Sequence, residues 1–315
     1  MNTNRRSFLK KNVLIGGGLI MAGSLDAVGK VSKSILTNSI QKTEVNIMYT
    51  NDVLGEVDAV NDGLGGLSSL HSVIQNEEIA ALFFDAGGFL NPNHSIEKQL
   101  LGLDFMNKSN YHAVNLSAAD LSQGLTHFSD LLPYINFQMV SCNYHFENQK
   151  MKNSLKSYQI FTYGKFRVGV TGVGEMVNLE GLRVTNPELS LNKMAAYLKE
   201  EQACDLVICL AHLGFDEKMP FNNKKLAESS NSVDLVIGGN AKVSTSQLWL
   251  LKNKDKEGVL MSNNYNKALS LARVKFSFNT DKQKIGIDLK RYIPGLSDRK
   301  EMALKLMKFK ELGIV

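Results

Sequence analysis

Residues 45–52 read Val-Asn-Ile-Met-Tyr-Thr-Asn-Asp, an apolar run that ends in small polar side chains. β-branched and aromatic residues favour a strand, and Asn and Asp favour the turn that follows it. The same pairing recurs along the chain, with longer amphipathic segments between the apolar runs. This alternation is typical of βαβ units, so the sequence predicts an α/β fold.

Several of the apolar runs contain almost no polar residue, which is typical of strands that are covered on both faces. Strands are predicted at 45–49, 81–84, 113–116, 137–141, 158–161, 167–171, 206–210, 235–237, 259–262, 271–278 and 284–291. Helices are predicted at 67–75, 96–108, 121–131, 191–201, 224–230 and 299–312. No repeat, linker or change in composition divides this region, so we expect one domain over residues 44–315.

The composition excludes several classes of protein. A chain of 315 residues that is 43% hydrophobic and 21% charged can bury a large core, unlike a disordered or fibrous protein. The 36 basic and 31 acidic residues give a net charge of +5 without a long basic block, which does not favour nucleic-acid binding. Cys142, Cys204 and Cys209 have no metal-ligand spacing, and we expect no disulfide.

The N-terminus has the order of an export signal. Arg5-Arg6 is followed by Ser-Phe-Leu-Lys and then by an apolar stretch at 13–23, which is shorter than the roughly 20 residues of a membrane-spanning helix. The basic segment resembles the twin-arginine signal. We therefore expect residues 1–35 to be a signal peptide and linker of a bacterial protein that is exported to the periplasm. No stable membrane anchor would remain after cleavage, and a merely basic tail is the alternative.

Polar segments follow the predicted strand ends at 49–55, 85–88, 116–124, 211–214 and 237–243. Ligands of open α/β sheets bind outside the carboxyl ends of the strands, so these segments should meet in one crevice. In order and spacing, including Thr-Asn-Asp-Val-Leu-Gly at 50–55, Asp-Ala-Gly-Gly at 85–88 and Ala-His-Leu-Gly at 211–214, they resemble the 5′-nucleotidase branch of the calcineurin-like metallophosphoesterases. The resemblance covers about residues 44 to 292.

This resemblance implies a four-layer αββα sandwich, with two mixed sheets flanked by helices, and a pair of divalent metals that hydrolyse phosphoesters. The first two segments depart from the family pattern. Asp52 remains, but Leu54 stands at the position of a metal-binding histidine. Gly88 stands at the position of the aspartate that bridges the two metals, and two neighbouring dications repel strongly without it.

The third and fourth segments keep little more. Ala118 and Ala119 stand where the resemblance implies a metal-binding Asn and the histidine that stabilises the transition state. The acid that follows them is kept as Asp120, and the histidine of the fourth segment is kept as His212. Ala119 and Asp120 occupy the positions of the catalytic segment in the family, and we assign no catalytic residue.

The fifth segment has Asn240 and Lys242 in place of two histidines. Asp52, His212 and Asn240 are thus remnants of the metal set and do not close a site. We expect the ammonium of Lys242 to replace the charge of one metal and to pair with Asp52. Asp52 as an Asx-turn residue, and His212 as a capping or core histidine, are the alternatives.

The function expected from these losses is binding without catalysis, and we expect no cofactor. Lys242 and the backbone amides of Gly87, Gly88, Gly238 and Gly239 are candidates for binding a small anion or phosphate ester, although the glycines can equally be structural. A protein partner is the other candidate. One such partner would be a separate nucleotide-binding protein domain, because we expect no nucleotide-binding domain after residues 44–315.

A working phosphoester hydrolase with a reduced or rearranged site is the alternative function. Such an enzyme would need manganese, zinc or a similar divalent metal. The histidines outside the five segments would then have to rebuild the site; these are His71, His94, His112, His127 and His145.

Overall fold

The structure is a computed structural model that describes residues 43–60, 62–76, 80–241, 246–295 and 306–311. The predicted signal peptide, Lys242 and most of the predicted helix at 299–312 lie outside the described residues. Residues 306–311 are helical, and Phe309 packs against Leu64 and Leu269.

The strands and helices alternate along most of the chain. The strands are β1 (Glu44–Thr50), β2 (Leu82–Asp85), β3 (Ala113–Asn115), β4 (Gln138–Val140), β5 (Tyr144–Phe146), β6 (Leu155–Lys156), β7 (Tyr158–Tyr163), β8 (Phe166–Val173), β9 (Leu182–Val184), β10 (Leu206–Ala211), β11 (Leu235–Gly238), β12 (Leu248–Lys252), β13 (Gly258–Ser262), β14 (Leu271–Phe278) and β15 (Lys284–Tyr292). The α-helices are α1 (Leu67–Asn76), α2 (Ile96–Lys108), α3 (Leu125–Leu131), α4 (Gln149–Ser154), α5 (Pro187–Ala196) and α6 (Asn223–Ser229).

Two mixed sheets form the centre of the molecule. The first has seven strands in the order β15-β14-β1-β2-β3-β4-β6, and the second has six in the order β12-β13-β11-β10-β8-β7. Parallel pairing of β1 with β2 and of β2 with β3, and of β10 with β8 and β11, places the carboxyl ends of these strands at common edges. The short strands β5 and β9 pair separately.

The hydrophobic core has three main layers. Ile47 and Phe84 of the first sheet meet Val170 and Ile208 of the second between the sheets, all with no exposed surface. Apolar faces of α1, α2 and α3 cover the outer face of the first sheet, and those of α5 and α6 cover the outer face of the second. The expected αββα sandwich of two mixed sheets is therefore confirmed.

Asn115 joins the two sheets near the edge where the strand ends meet. Its side-chain amide donates to the carbonyl of Ala86 at 3.1 Å and to that of Val173 at 2.9 Å. A Cβ at Gly172 in β8 would come within 2.3 Å of the Asn115 Oδ1. The sheets therefore touch here at a distance that only glycine allows.

Two predicted helices have different bounds. The helix expected at 121–131 is divided, because Gly124 has a φ of 92° between a 3-10 turn at Ala119–Leu121 and α3. The helix expected at 191–201 begins earlier, where Asn186 accepts a hydrogen bond from the amide of Leu189, and it continues as the π-helical turn Tyr197–Glu201. The prediction also missed the strands β5, β6, β9 and β12 and the helix α4.

All three cysteines are free and buried. Within the described part of the chain, no helix is both long and apolar enough to cross a membrane.

Candidate functional site

The site lies in the crevice where the loops after β1, β2, β8, β10 and β11 meet. The structure brings Asp52, His212 and Asn240 together there, and it adds Glu175 from the loop after β8. These four residues are called the His212 cluster below.

His212 lies between two carboxylates. Its Nε2 is 2.7 Å from Asp52 Oδ1, and its Nδ1 is 2.6 Å from Glu175 Oε1. The imidazole is 2% exposed, whereas the side chains of Asp52 and Glu175 are 13% and 20% exposed. A neutral imidazole carries one N–H, so contact of both nitrogens with acceptor-only carboxylates requires the doubly protonated imidazolium.

The electrostatics agree with that protonation state. Burial lowers the pKa of His212, but the negative charges and hydrogen bonds of Glu175 and Asp52 outweigh it and hold the pKa well above its usual range. Burial likewise acts to raise the pKa of Glu175, and the positive charge of His212 outweighs it and lowers that pKa. The cluster is therefore a buried ion triad at neutral pH.

Glu175 was missed by the sequence analysis. The signal was present, because Glu175 comes two residues after β8 and thus at the same edge as the other segments. Its Oε1 also accepts from the side-chain amide of Asn240 at 3.1 Å, and its Oε2 accepts from the backbone amide of Ala118 at 2.9 Å. Glu175 thereby joins its own loop to the loops after β3, β10 and β11.

The carboxylate of Asp52 accepts hydrogen bonds from Asn51 and Asn240 and not from the turn that follows it. Its Oδ2 accepts from the side-chain amide of Asn51 at 2.8 Å and from the backbone amide of Asn240 at 2.9 Å. The Asx turn considered for Asp52 is not formed, since the amide of Leu54 donates to the carbonyl of Gly88 instead. Lys242 lies outside the described residues, so its pairing with Asp52 stays a prediction.

Glycines allow the loops to approach the imidazole. A Cβ at Gly88, which has a φ of 70°, would come within 2.7 Å of Asp52 Oδ1 and 2.8 Å of His212 Nε2. A Cβ at Gly239 would come within 2.6 Å of His212 Cδ2. The Asp52–His212 contact thus occupies the space into which a side chain at position 88 would point.

The amides proposed for anion binding have partners inside the protein. The amide of Gly87 donates to Asp85, that of Gly88 to Asp120, and that of Gly239 to the carbonyl of Ala211. These contacts support a structural role for the three glycines. Anion binding by them and by Gly238 stays a prediction.

Two more buried carboxylates shape the crevice from beneath. Asp120 accepts from the amides of Gly88 and Leu90, and from the Ser117 hydroxyl at 2.6 Å, while burial raises its pKa. Burial also raises the pKa of Asp85 to about 7. Both side chains hold loop backbone, and Ala118 and Ala119 beside Asp120 offer no side-chain ligand.

Comparison with solved structures identifies the architecture. A 5′-nucleotidase precursor from Thermus thermophilus matches with a TM-score of 0.68 and 19% identity, over 85% of this chain and 58% of that one. NAD nucleotidase from Haemophilus influenzae matches with a TM-score of 0.67 and 18% identity, over 79% and 55%. A calcineurin-like phosphoesterase from Bacillus subtilis matches with a TM-score of 0.61 and 17% identity, over 86% and 98%. The chain has the fold of the calcineurin-like phosphoesterases.

No protein-family model matches the sequence, and no curated protein matches it either. The chain spans little more than half the length of the two nucleotidases. At these levels of identity the likeness concerns the phosphoesterase fold, and the activity must be argued from the residues of this chain.

The residues present do not fit the dinuclear metal centre that a phosphoesterase fold implies. Both nitrogens of His212 are in contact with carboxylates, so neither points to an open position for a metal. The Nε2 of His94, near the second loop, is 3.5 Å from Glu56 Oε1. Among the described residues, no group of three His, Cys, Asp or Glu side chains is arranged to hold a metal ion.

Proposed function

We propose that this chain is a phosphoesterase-fold protein that binds a ligand or partner without hydrolysing phosphoesters. The observation that carries the proposal is the contact of both His212 nitrogens with carboxylates, at 2.7 and 2.6 Å. An imidazolium in this position supplies the positive charge that Asp52 and Glu175 require. Among the described residues, no group of three His, Cys, Asp or Glu side chains is left that could hold a metal to activate water.

Charge and ligand count both argue against metal-dependent hydrolysis. A two-metal mechanism needs cations that stabilise both the attacking and the leaving oxygen. Here Gly88 provides no bridging carboxylate, and Ala118 and Ala119 provide no side chain for a metal or for the transition state. The single positive charge of the described cluster is already shared by two carboxylates.

A nitrogen-detected NMR experiment on histidine tests the proposal. In protein labelled with ¹⁵N-histidine, we expect one of the six histidines to show two protonated ring nitrogens at slightly alkaline pH, and the His212→Gln variant to lack that signal. Added Zn²⁺ or Mn²⁺ should leave the signal unchanged. The other histidines are internal controls. A neutral His212 whose resonances respond to Zn²⁺ would overturn the proposal.

Metal content and turnover complete the test. After exposure to Mn²⁺ and Zn²⁺ and dialysis, we expect no stoichiometric metal and no hydrolysis of a bis-aryl phosphate. Stoichiometric metal, with turnover that Asp52→Asn abolishes, would instead establish the hydrolase alternative. Assembly of Asp52, His212 and Asn240 at one point is the observation that favours that alternative, provided that His212 first loses a proton.

Export through the twin-arginine pathway to the periplasm is also part of the proposal, and it rests on Arg5-Arg6. The Thermus thermophilus protein of the same fold is described as a precursor. Replacing both arginines with lysine should retain the protein in the cytoplasm, as cell fractionation would show. Unchanged fractionation of the double variant would contradict export by this route.

We propose that Lys242 and the glycines of the crevice bind a small anion or phosphate ester. A protein, such as a separate nucleotide-binding domain, is the other proposed partner.

A further inference from the structure

A pocket of about 770 Å³ opens beside the His212 cluster and shares Glu175 and Asn240 with it. Its volume falls within the roughly 300 to 1,000 Å³ of small-molecule sites. The loop at 213–221, between β10 and α6, forms part of its lining, and Trp249 of β12 and Met261 of β13 line it as well.

Aromatic and sulfur-containing side chains dominate these walls. Phe215 and Trp249 are stacked, with ring centroids 5.7 Å apart and planes inclined by 28°. Met176 and Met219 line the same pocket, and each is 52% exposed. Exposed methionine and aromatic surface in a concave site favours a flat apolar ligand, because rings stack and thioethers adapt to them.

The wall is held in place before any ligand arrives. The amide of Asn223 donates to the carbonyl of Gly214 at 2.8 Å, and the ammonium of Lys225 donates to the carbonyls of Glu217 and Met219. Phe215 rests against the backbone of Gly238, where a Cβ would come within 2.9 Å of its Cζ. A preformed wall lowers the entropy cost of binding.

The described lining of the pocket carries more acidic than basic side chains. Glu175, Asp216 and Glu217 line it, and Lys224 is the only basic side chain among its described lining residues. That ammonium is 3.5 Å from the carboxylate of Glu217. A negatively charged ligand would meet like charges at this wall, whereas an uncharged or cationic ligand would not.

We propose that the pocket lined by the stacked rings of Phe215 and Trp249 binds a small planar aromatic molecule that carries no negative charge. The pocket adjoins the His212 cluster, and the proposal does not depend on whether that cluster hydrolyses, binds an anion or does neither. Its ligand class also differs from the phosphate esters considered above.

Trp249 is the only tryptophan of the chain, so its fluorescence reports on this pocket directly. The probes are benzamidine, benzamide and benzoate, which share one ring and differ in charge. We expect saturable emission changes with benzamidine and benzamide, and binding of benzoate weaker by roughly tenfold, because like charges oppose it. No saturable change with any probe, or tightest binding of benzoate, would overturn the proposal.

Variants locate the binding. Phe215→Leu should abolish the emission change, and Tyr134→Leu, an exposed aromatic residue outside the pocket, should leave it intact. Trp249→Phe should remove the signal yet keep binding in ligand-observed NMR. If Phe215→Leu fails to fold, Met219→Lys at the exposed rim serves instead, and we expect it to weaken benzamidine binding. Full binding by a folded Phe215→Leu or Met219→Lys variant would contradict the assignment.

Discussion

At the scale of single residues, a proton on His212 holds together Asp52 and Glu175, whose like charges would otherwise repel in a buried place. Removing the imidazolium should therefore lower the free energy of unfolding much more than removing an exposed charge. A buried charge that loses its partner typically costs about 3 to 5 kcal/mol of folding free energy.

We predict that His212→Gln lowers the free energy of unfolding by about 3 to 5 kcal/mol near neutral pH. In the double variant with Glu175→Gln, the loss should be smaller than the sum of the two single losses, because the pair is coupled. Urea denaturation of the four proteins measures both. Additive losses would contradict a shared ion triad.

The pH dependence of stability follows from the raised pKa of His212. A histidine with a higher pKa in the folded state stabilises fully below its unfolded pKa of about 6.5, and this contribution is lost as the pH rises through the folded pKa. The wild-type protein should thus lose stability on the alkaline side, while His212→Gln should lack that loss. His71→Gln, outside the cluster, is the control that should behave like the wild type.

A substitution at Gly88 tests how much space is left around the contact between Asp52 and His212. Gly88→Ala should destabilise the fold by roughly 1 to 3 kcal/mol, from strain at positive φ and from overlap with Asp52 and His212. Gly63→Ala is the matched control, since Gly63 has a φ of 82° with no atom within 4 Å of its Cβ position. An equal loss for both variants in thermal unfolding would show that backbone strain alone matters at Gly88.

The sequence predicted most of the residues of this site but few of the contacts between them. Asp52, His212 and Asn240 meet because each follows a strand whose carboxyl end lies at the same edge. Glu175 follows the same rule, but no family pattern draws attention to it. The charge that balances Asp52 is supplied by His212, a contact between side chains 160 residues apart that no local pattern encodes.

At the scale of secondary-structure elements, the close contact between the two sheets at Gly172 of β8 allows a direct test of packing. Gly172→Ala would place a methyl group 2.3 Å from Asn115 Oδ1 and 2.5 Å from the Val140 carbonyl. Because both neighbours belong to the opposite sheet, we expect a loss of about 1 to 3 kcal/mol or more in chemical denaturation. Gly258→Ala in β13, with 3.4 Å of room, should be tolerated and serves as the control.

Length does not separate the elements that the sequence predicted from those it missed, since β3 and β4 were predicted and have three residues each. The prediction for α2 has the observed bounds, since Ser95 caps the helix at its first turn and Ser109 ends it. The strands that were missed have between two and five residues. Of these, β12 alternates exposed and half-buried residues at a sheet edge and so lacks the buried residues of the predicted central strands.

At the scale of the whole molecule, the two sheets share one interior. Ile47 and Phe84 of the first sheet and Val170 and Ile208 of the second have no exposed surface between them. We therefore predict that the fluorescence of Trp249, which reports on the second sheet, and the far-ultraviolet circular dichroism of the whole chain change at the same urea concentration. Separate transitions would mean that each sheet unfolds on its own.

The protonated His212 between two carboxylates has a consequence for how the molecule matures. A dication must be delivered to a folding chain by its surroundings, whereas a proton is supplied by water wherever the chain folds. The crevice can therefore close in a single step, without a metal-loading stage, and a chelator such as EDTA should neither open it nor slow its formation. Under the proposed function, assembly of this site needs a proton and does not depend on the metal supply of the compartment.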